Sequence, residues 1–244
     1  MGPADTWFRT KHWLQSIATS LPERPKAILM ISGHWEEPAF AVGTNPRPGM
    51  IFDYYGFPPH TYELDYPAPG DPALAERVRG LLAAAGLPVV TDPERGFDHG
   101  IFVPLLVAFP DADIPVVPLS LKADLDPAEH LAAGRALEPL RDEGVLIVGS
   151  GMSYHNMRGY MTGSAPTDSA NFDAWLTAAI ESGPDERASR LTHWTAGDAA
   201  RQSHPREEHL MPLMVAAGAA GAGEGSKIFS DQVMMATVSA FRFD

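Results

Sequence analysis

The sequence predicts an α/β fold: one domain spanning 1–244, with a central mixed, mostly parallel sheet flanked by helices. Three observations carry this. Mostly apolar runs recur at Ala27–Ser32 (AILMIS), Ile114–Leu121 (IPVVPLSL) and Val145–Ser150 (VLIVGS), the pattern of strands buried on both faces. Segments with helical apolar spacing lie between them. No Ser/Gly linker, charge run or repeat divides the 244 residues, a length that suits one large α/β domain.

Taken in order, residues 4–20 place Trp7, Phe8, Trp13, Leu14 and Ile17 at helical spacing, with Asp5 or Thr6 as N-cap and His12 on the solvated side. The first buried strand follows a Pro-punctuated turn. Gly33 is expected to turn the chain at its end and to deliver His34, Trp35 and two carboxylates. In open α/β sheets the chemistry sits past the carboxyl ends of strands. His34 is therefore either a functional group or a strand-end residue bonded to a nearby carbonyl. Phe40–Val42 reads as a second, short strand.

Residues 44–70 read as a long loop carrying Phe52, Tyr54, Tyr55, Phe57, Tyr62 and Tyr66. Long loops in compact domains are commonly functional, and flat rings suit the wall of a pocket for a flat substrate. The plain alternative, anchoring to the core, is the stronger reading for any single tyrosine. His60 is within reach of such a pocket but is not expected to bind metal. Residues 71–85 form a helix capped by Asp71 with Pro72 at its first position, stopped at Gly86. Leu87–Thr91 is a short strand. Gly96 and Gly100 bracket Phe97, Asp98 and His99, allowing a tight turn that projects His99, with Asp98 capping a helix at 101–109.

Residues 127–142 read as an amphipathic helix with His130 on its outer face. After the strand Val145–Ser150, a Gly-Ser-Gly turn leads to His155, repeating the logic of His34. Residues 168–182 are helical, and 184–203 are helical in part. Pro205 suits the first turn of a further helix, Glu207 and Glu208 its positive end, and His209 lies one turn in, facing inward. His204 and His209 are five apart, so they do not form the i,i+4 chelating pair. Val233–Phe243 reads as a terminal strand.

Composition narrows the chemistry. With no cysteine there is no disulfide, thiolate metal site or Cys nucleophile, so any metal is held by His, Asp or Glu. A net charge of −13 disfavours nucleic acid as a partner. No apolar run has the length of a membrane span and no signal pattern opens the chain, which predicts a soluble, cytoplasmic protein with no membrane partner. HExxH, Walker and GxSxG motifs are absent. Ser150 and Ser153 lie near His155 without the elbow a serine hydrolase requires. A set of neutral imidazoles without thiolates suits Fe(II), Zn, Mn or Ni.

Five motifs in order, SGHWE, DYYGFPPHTYELDYPAPG, the GFDHG turn with its FVPL, SGMSYHNMRG and HPREEHLMPL, together resemble the class III extradiol ring-cleavage dioxygenases. The resemblance is to the DOPA 4,5-dioxygenase-like branch, related to the protocatechuate 4,5-dioxygenase catalytic subunit, and covers nearly the whole chain. It implies an α/β fold with one metal ion, Fe(II) when active and zinc often when isolated, and O2-dependent opening of a catechol ring next to its two hydroxyls to a muconic semialdehyde. It implies His34 and His209 as metal ligands, and His155 as the acid/base beside the metal, counted in some members among the metal-site residues. It implies His99 as a group that binds substrate or oxygen. Members of the family begin with a strand and an HG turn whose histidine is a further ligand. No histidine precedes His12 here, so by this resemblance either the sequence starts at an internal Met or the protein lacks that ligand, and in both cases the first strand is missing as well. Two other readings use the same histidines: a non-enzymatic metal- or partner-binding protein on this fold, and a zinc-dependent hydrolase with Glu36, Asp98 or Glu208 as base. The sequence leaves open which catechol is cleaved and whether the protein is a homo-oligomer.

Overall fold

The computed structural model describes residues 5–244. Helix α1, Phe8–Ser20, leads into strand β1, Ala27–Glu37, and then β2, Phe40–Gly43. After the long loop come α2 (Pro72–Ala84), β3 (Val89–Asp92), α3 (His99–Ala108) and β4 (Val116–Lys122). The chain continues through α4 (Pro127–Leu137), α5 (Pro139–Asp142) and β5 (Val145–Ser150). Five helices follow: α6 (Met157–Thr162), α7 (Ala165–Ile180), α8 (Pro184–Thr192), α9 (Ala200–Ser203) and α10 (Met211–Ala219). A hairpin, β6 (Gly225–Val233) with β7 (Ala236–Phe243), ends the described chain. Among the described residues no helix is long and apolar enough to cross a membrane.

The main sheet has the order β3-β2-β4-β1-β5. β1 runs parallel to both β4 and β5, β2 is parallel to β3, and only the β2–β4 contact is antiparallel, so the sheet is mixed and mostly parallel as the apolar runs require. Alternation along β1 divides the core. Leu29 and Ile31 join Leu131, Leu137, Met211, Met214 and Val215 under α4 and α10. Ile28 and Met30 join Ile101, Phe102 and Leu105 under α3 on the opposite face. Burial of each such side chain contributes about 1.5–3 kcal/mol, so β1, buried on both faces, is a firm base for what its end carries.

Several local expectations change. β1 does not end at Gly33; it runs on to Glu37 through a register shift against β4 between Ile31 and Glu36. The pairing with β4 is irregular across this stretch, and His34 lies within the strand rather than in a turn beyond it. The first residue of the helix expected at 4–20 lies outside the described residues, and the helix begins at Phe8 with Trp7, not Asp5 or Thr6, in the capping position. Trp7 and Phe8 stay exposed, while Trp13 stacks on Phe229 and Ile17 packs on the α3 side. The helix expected at 127–142 breaks at Glu138, where Pro139 has no N–H to continue it. His130 is buried, not outward: Nδ1 lies 2.7 Å from Asp126 O and Nε2 accepts the Lys122 N–H at 3.2 Å. The last helix starts at Met211, so Pro205, Glu207, Glu208 and His209 precede it. The terminal strand has a partner, β6, pairing across Met234 and Met235 at φ +48° and +71°.

Candidate metal centre

The carboxyl ends of β1 and β5 meet the segment before α10, and two glycines let them meet closely. A Cβ at Gly33 would stand 3.0 Å from Glu208 O, and one at Gly151 would stand 2.1 Å from His209 O. The Met152 N–H donates to that same His209 carbonyl at 3.1 Å. His209 is thereby pinned over the sheet edge by its backbone, from a turn and not from within a helix. His155 is placed by its N–H, which donates to Ser203 O at 3.0 Å, and Asn156 caps α6 behind it by accepting from the Gly159 N–H.

Four imidazoles result, in an array. His99 and His34 have ring centroids 3.9 Å apart, His34 and His209 meet edge to face at 4.8 Å, and His209 stacks on His155 at 3.5 Å. Each end of the array has a carboxylate. Glu208 Oε1 lies 2.9 Å from His209 Nδ1 and 3.2 Å from His155 Nδ1. Asp53 Oδ1 accepts from the His99 N–H at 3.0 Å and lies 2.8 Å from His99 Nδ1, with Oδ2 3.6 Å from His34 Nδ1. All four Nδ1 atoms face carboxylates. His34 and His155, the two histidines expected at one sheet edge, converge through His209.

A buried network fixes the approach to this array. Ser32 Oγ donates to Asp98 Oδ1 at 2.7 Å and accepts the His34 N–H at 3.1 Å. Arg95 donates to Asp98 Oδ2 at 2.6 Å and lies 4.6 Å over the Trp35 ring. The Asp98 side chain therefore does not cap α3, although it occupies the N-cap position. The aromatic loop contributes unevenly. Tyr54 stands edge-on to His99 at 5.6 Å and packs with Phe52, Tyr62 and Phe102. Tyr66 is a core anchor whose hydroxyl donates to Phe109 O at 3.0 Å, and Tyr55 and Phe57 point outward with His60.

The electrostatics suit metal binding. Burial, reinforced by the nearby His155 and His34, pushes His209 down to about 3. Burial and His99 lower His34, and burial lowers His155 against the pull of Glu208. Burial opposes ionisation of Glu208 and Asp53, but hydrogen bonds from His209 and His99 outweigh it and hold both below the usual carboxylate range. A divalent ion requires unprotonated imidazole, and each imidazole here is backed by a carboxylate at its second nitrogen, the arrangement that orients metal-bound histidines. Glu208 Oε2 is buried without a hydrogen bond, 3.5 Å from the Arg206 guanidinium. Two triads, His34–Asp53–His99 and His155–Glu208–His209, each gather ligand atoms within 4.8 Å. The donor set fits a metal ion.

The remaining histidines lie elsewhere. His12 and His193 are exposed and bonded to carbonyls of their own helices. His204 is buried against Phe172 and Trp194 with Nε2 3.1 Å from Ser153 O. Neither serine near His155 is bonded to it: Ser150 donates to Gly100 O, and Ser153 Oγ accepts from the Ser239 N–H. Of the hydrolase-base candidates, Glu36 is paired with Arg206 and Asp98 with Arg95. Asp53 is the site residue the sequence did not single out. Its signal was an acidic group at the head of an aromatic loop.

An α/β sheet whose edge gathers imidazoles backed by carboxylates is a setting suited to a metal-dependent enzyme. A family model described as the catalytic LigB subunit of aromatic ring-opening dioxygenase matches residues 3–242. The 4,5-DOPA dioxygenase extradiol of Beta vulgaris is 45% identical over 219 residues, 88% of this chain and 79% of that protein. The dioxygenase tasH of Hapsidospora irregularis is 42% identical over 224 residues, 86% of this chain and 69% of that protein. A solved crystal structure of an uncharacterized Escherichia coli K12 protein superposes with TM-score 0.79 at 32% identity, covering 95% of this chain and 90% of that one. The chain belongs to this family: it is a class III extradiol dioxygenase of the DOPA dioxygenase-like branch.

Proposed function

We propose that this enzyme uses Fe(II) to open a catechol-type ring with O2, breaking the ring bond next to the two hydroxyls and placing both oxygen atoms in a muconic semialdehyde. His34 and His209 would hold the ion, with His155 at its side. When bound, the ion would lower the catechol pKa and bring the two reactants into contact. The chain's own residues do the rest. His155 takes the proton of the second hydroxyl and later returns it, a task suited to a group that is neutral before substrate arrives. Glu208, bonded at Nδ1, stabilises the imidazolium while the proton is held. His99 binds a substrate or oxygen atom, and Tyr54 forms a wall beside it.

The observation that carries this reading is the stacked His155–His209 pair sharing Glu208, because it puts a proton acceptor directly against a buried, neutral donor. The names of the relatives point to DOPA as the first catechol to try. The test is oxygen uptake after anaerobic loading with Fe(II), against a panel including DOPA and protocatechuate. Uptake with a yellow ring-opened product is expected. A folded, iron-loaded enzyme that consumes no oxygen with any catechol would overturn the proposal. Zinc loading is expected to give binding without uptake.

A further inference from the structure

Asp53 makes more contacts to this centre than its place in a surface loop would predict. Its Oδ1 accepts from the His99 backbone N–H at 3.0 Å and lies 2.8 Å from the ring Nδ1 of the same residue. His99 is the first residue of α3, so its N–H is one of the donors a helix start leaves unpaired. The residue in the capping position, Asp98, has its carboxylate engaged by Ser32 and Arg95. Asp53 thus acts as a long-range cap, 46 positions away in sequence, at the positive end of α3. The same oxygen fixes the ring. It already accepts a backbone N–H and carries no proton, so an unprotonated Nδ1 facing it at 2.8 Å would set two lone pairs against each other. The contact is a hydrogen bond only if Nδ1 carries the hydrogen. The partner at one imidazole nitrogen decides the state of the other.

We propose that Asp53 is a positioning residue, holding His99 in the Nδ1–H tautomer so that Nε2 offers its lone pair to a proton or hydrogen-bond donor on the substrate. Asp53 Oδ2, 3.6 Å from His34 Nδ1, ties this arrangement to the candidate metal ligand, and Tyr54 follows directly in the chain, edge-on to His99. One carboxylate therefore holds both the helix start and the ring orientation. The catalytic part of this inference rests on the dioxygenase reading; the tautomer does not.

The test has two arms. Long-range nitrogen–proton NMR of the metal-free protein reads the His99 ring nitrogens directly. Hydrogen at Nδ1 is expected in the wild type, and at Nε2, the form favoured in water, in Asp53→Ala. Hydrogen at Nε2 in the wild type overturns the proposal, and needs no variant to show it. In the second arm, iron-loaded Asp53→Ala is expected to keep its metal and lose about 10–100-fold in kcat, the usual effect of removing a partner that orients a site histidine. Asp53→Asn, whose amide oxygen accepts both bonds, should recover part of that loss and serves if Asp53→Ala does not fold. Adding Asp53→Ala to His99→Ala should cost nothing further, since Asp53 acts through His99; multiplying losses would assign it a merely structural role. Loss of metal on Asp53→Ala would make it a ligand instead. A wild type inactive toward every catechol defeats the reading of the reaction while leaving the tautomer result to decide on Asp53.

Discussion

His155 and His209 lie face to face, their centroids 3.5 Å apart and their planes 22° from parallel, and both turn Nδ1 to the same oxygen of Glu208. Two imidazolium rings could not stack so closely. The pair holds only while at most one ring is charged, which is why the neighbouring ring adds to burial in pushing His209 down to about 3. The asymmetry is consistent with the proposed roles: His209, the more buried, as the neutral metal ligand, and the more exposed His155 as the group that exchanges a proton.

The first expected outcome concerns His209. His209→Ala removes a buried donor whose backbone is fixed on both sides, so no neighbouring side chain can take its place. Affinity for Fe(II) or Zn, measured by competition with a chelator, should fall by more than the roughly 100-fold that losing an outer partner costs. Unchanged affinity would place the ion elsewhere.

His155→Gln should separate binding from turnover. Gln keeps a polar group near Glu208 but cannot carry a proton. Metal content should hold while kcat falls by about 10²–10⁴-fold, the range for loss of a positioned acid/base. Full activity in this variant would remove His155 from the reaction.

Gly151→Ala tests the backbone crossing. The added Cβ would sit 2.1 Å from His209 O, a backbone atom with no freedom to rotate away. The segment before α10 must move, at about 1–3 kcal/mol for overpacking. The expected result is a lower Tm together with weaker metal binding, because the displaced residue is His209 itself. A loss of Tm with normal metal affinity would show that the strain relaxes elsewhere.

These cases mark how far the sequence could be read. The apolar runs 27–32, 114–121 and 145–150 located the strands, since a strand buried on both faces leaves a local signature. His34, His99, His155 and His209 were legible because each stands beside a glycine, an asparagine or an acidic residue at an element's edge. Gly33 reads as a turn, but what calls for glycine there is the close approach of the Glu208 carbonyl, a tertiary contact with no local trace. His130 was misread because its burial depends on the Lys122 N–H, a tertiary partner with no local trace. β6 was missed because Met-Met at positive φ lacks the Asn-Gly signal of a tight hairpin. Asp53 acts across 46 residues, and spacing alone does not show such a bond.

His204 predicts a pH effect distinct from catalysis. It is buried, and burial pushes it down to about 4 from an ordinary 6.5. Above pH 6.5 both folded and unfolded chains hold it neutral, and its contribution to stability is unchanged. As pH falls from 6.5 toward 4 the unfolded chain takes up a proton that the fold excludes, so stability declines by about 1.4 kcal/mol per unit, near 3 kcal/mol at the lower end. In the metal-free protein His209 acts in the same direction. Thermal melts from pH 7.5 to 4.5 should show this decline, and His204→Gln should show a shallower one. Identical slopes would remove His204 from the account.

The last outcome decides between two roles for Asp98. If its importance were as the cap of α3, replacing it with Ala would cost about 0.5–2 kcal/mol. The structure gives the cap's work to Asp53 and leaves Asp98 fully buried against Arg95, whose own side chain is only 15% exposed. Removing one partner of such a pair strands the other charge, at about 3–5 kcal/mol. Asp98→Ala should therefore lose the larger amount in urea unfolding. Arg95→Met in the same chain should restore much of it by removing the stranded guanidinium. The restored protein should still bind metal less well than the wild type, because Ser32 has lost the acceptor that turned its hydroxyl oxygen toward the His34 N–H. A single-variant loss below about 2 kcal/mol, with no rescue by Arg95→Met, would return Asp98 to the role of a cap.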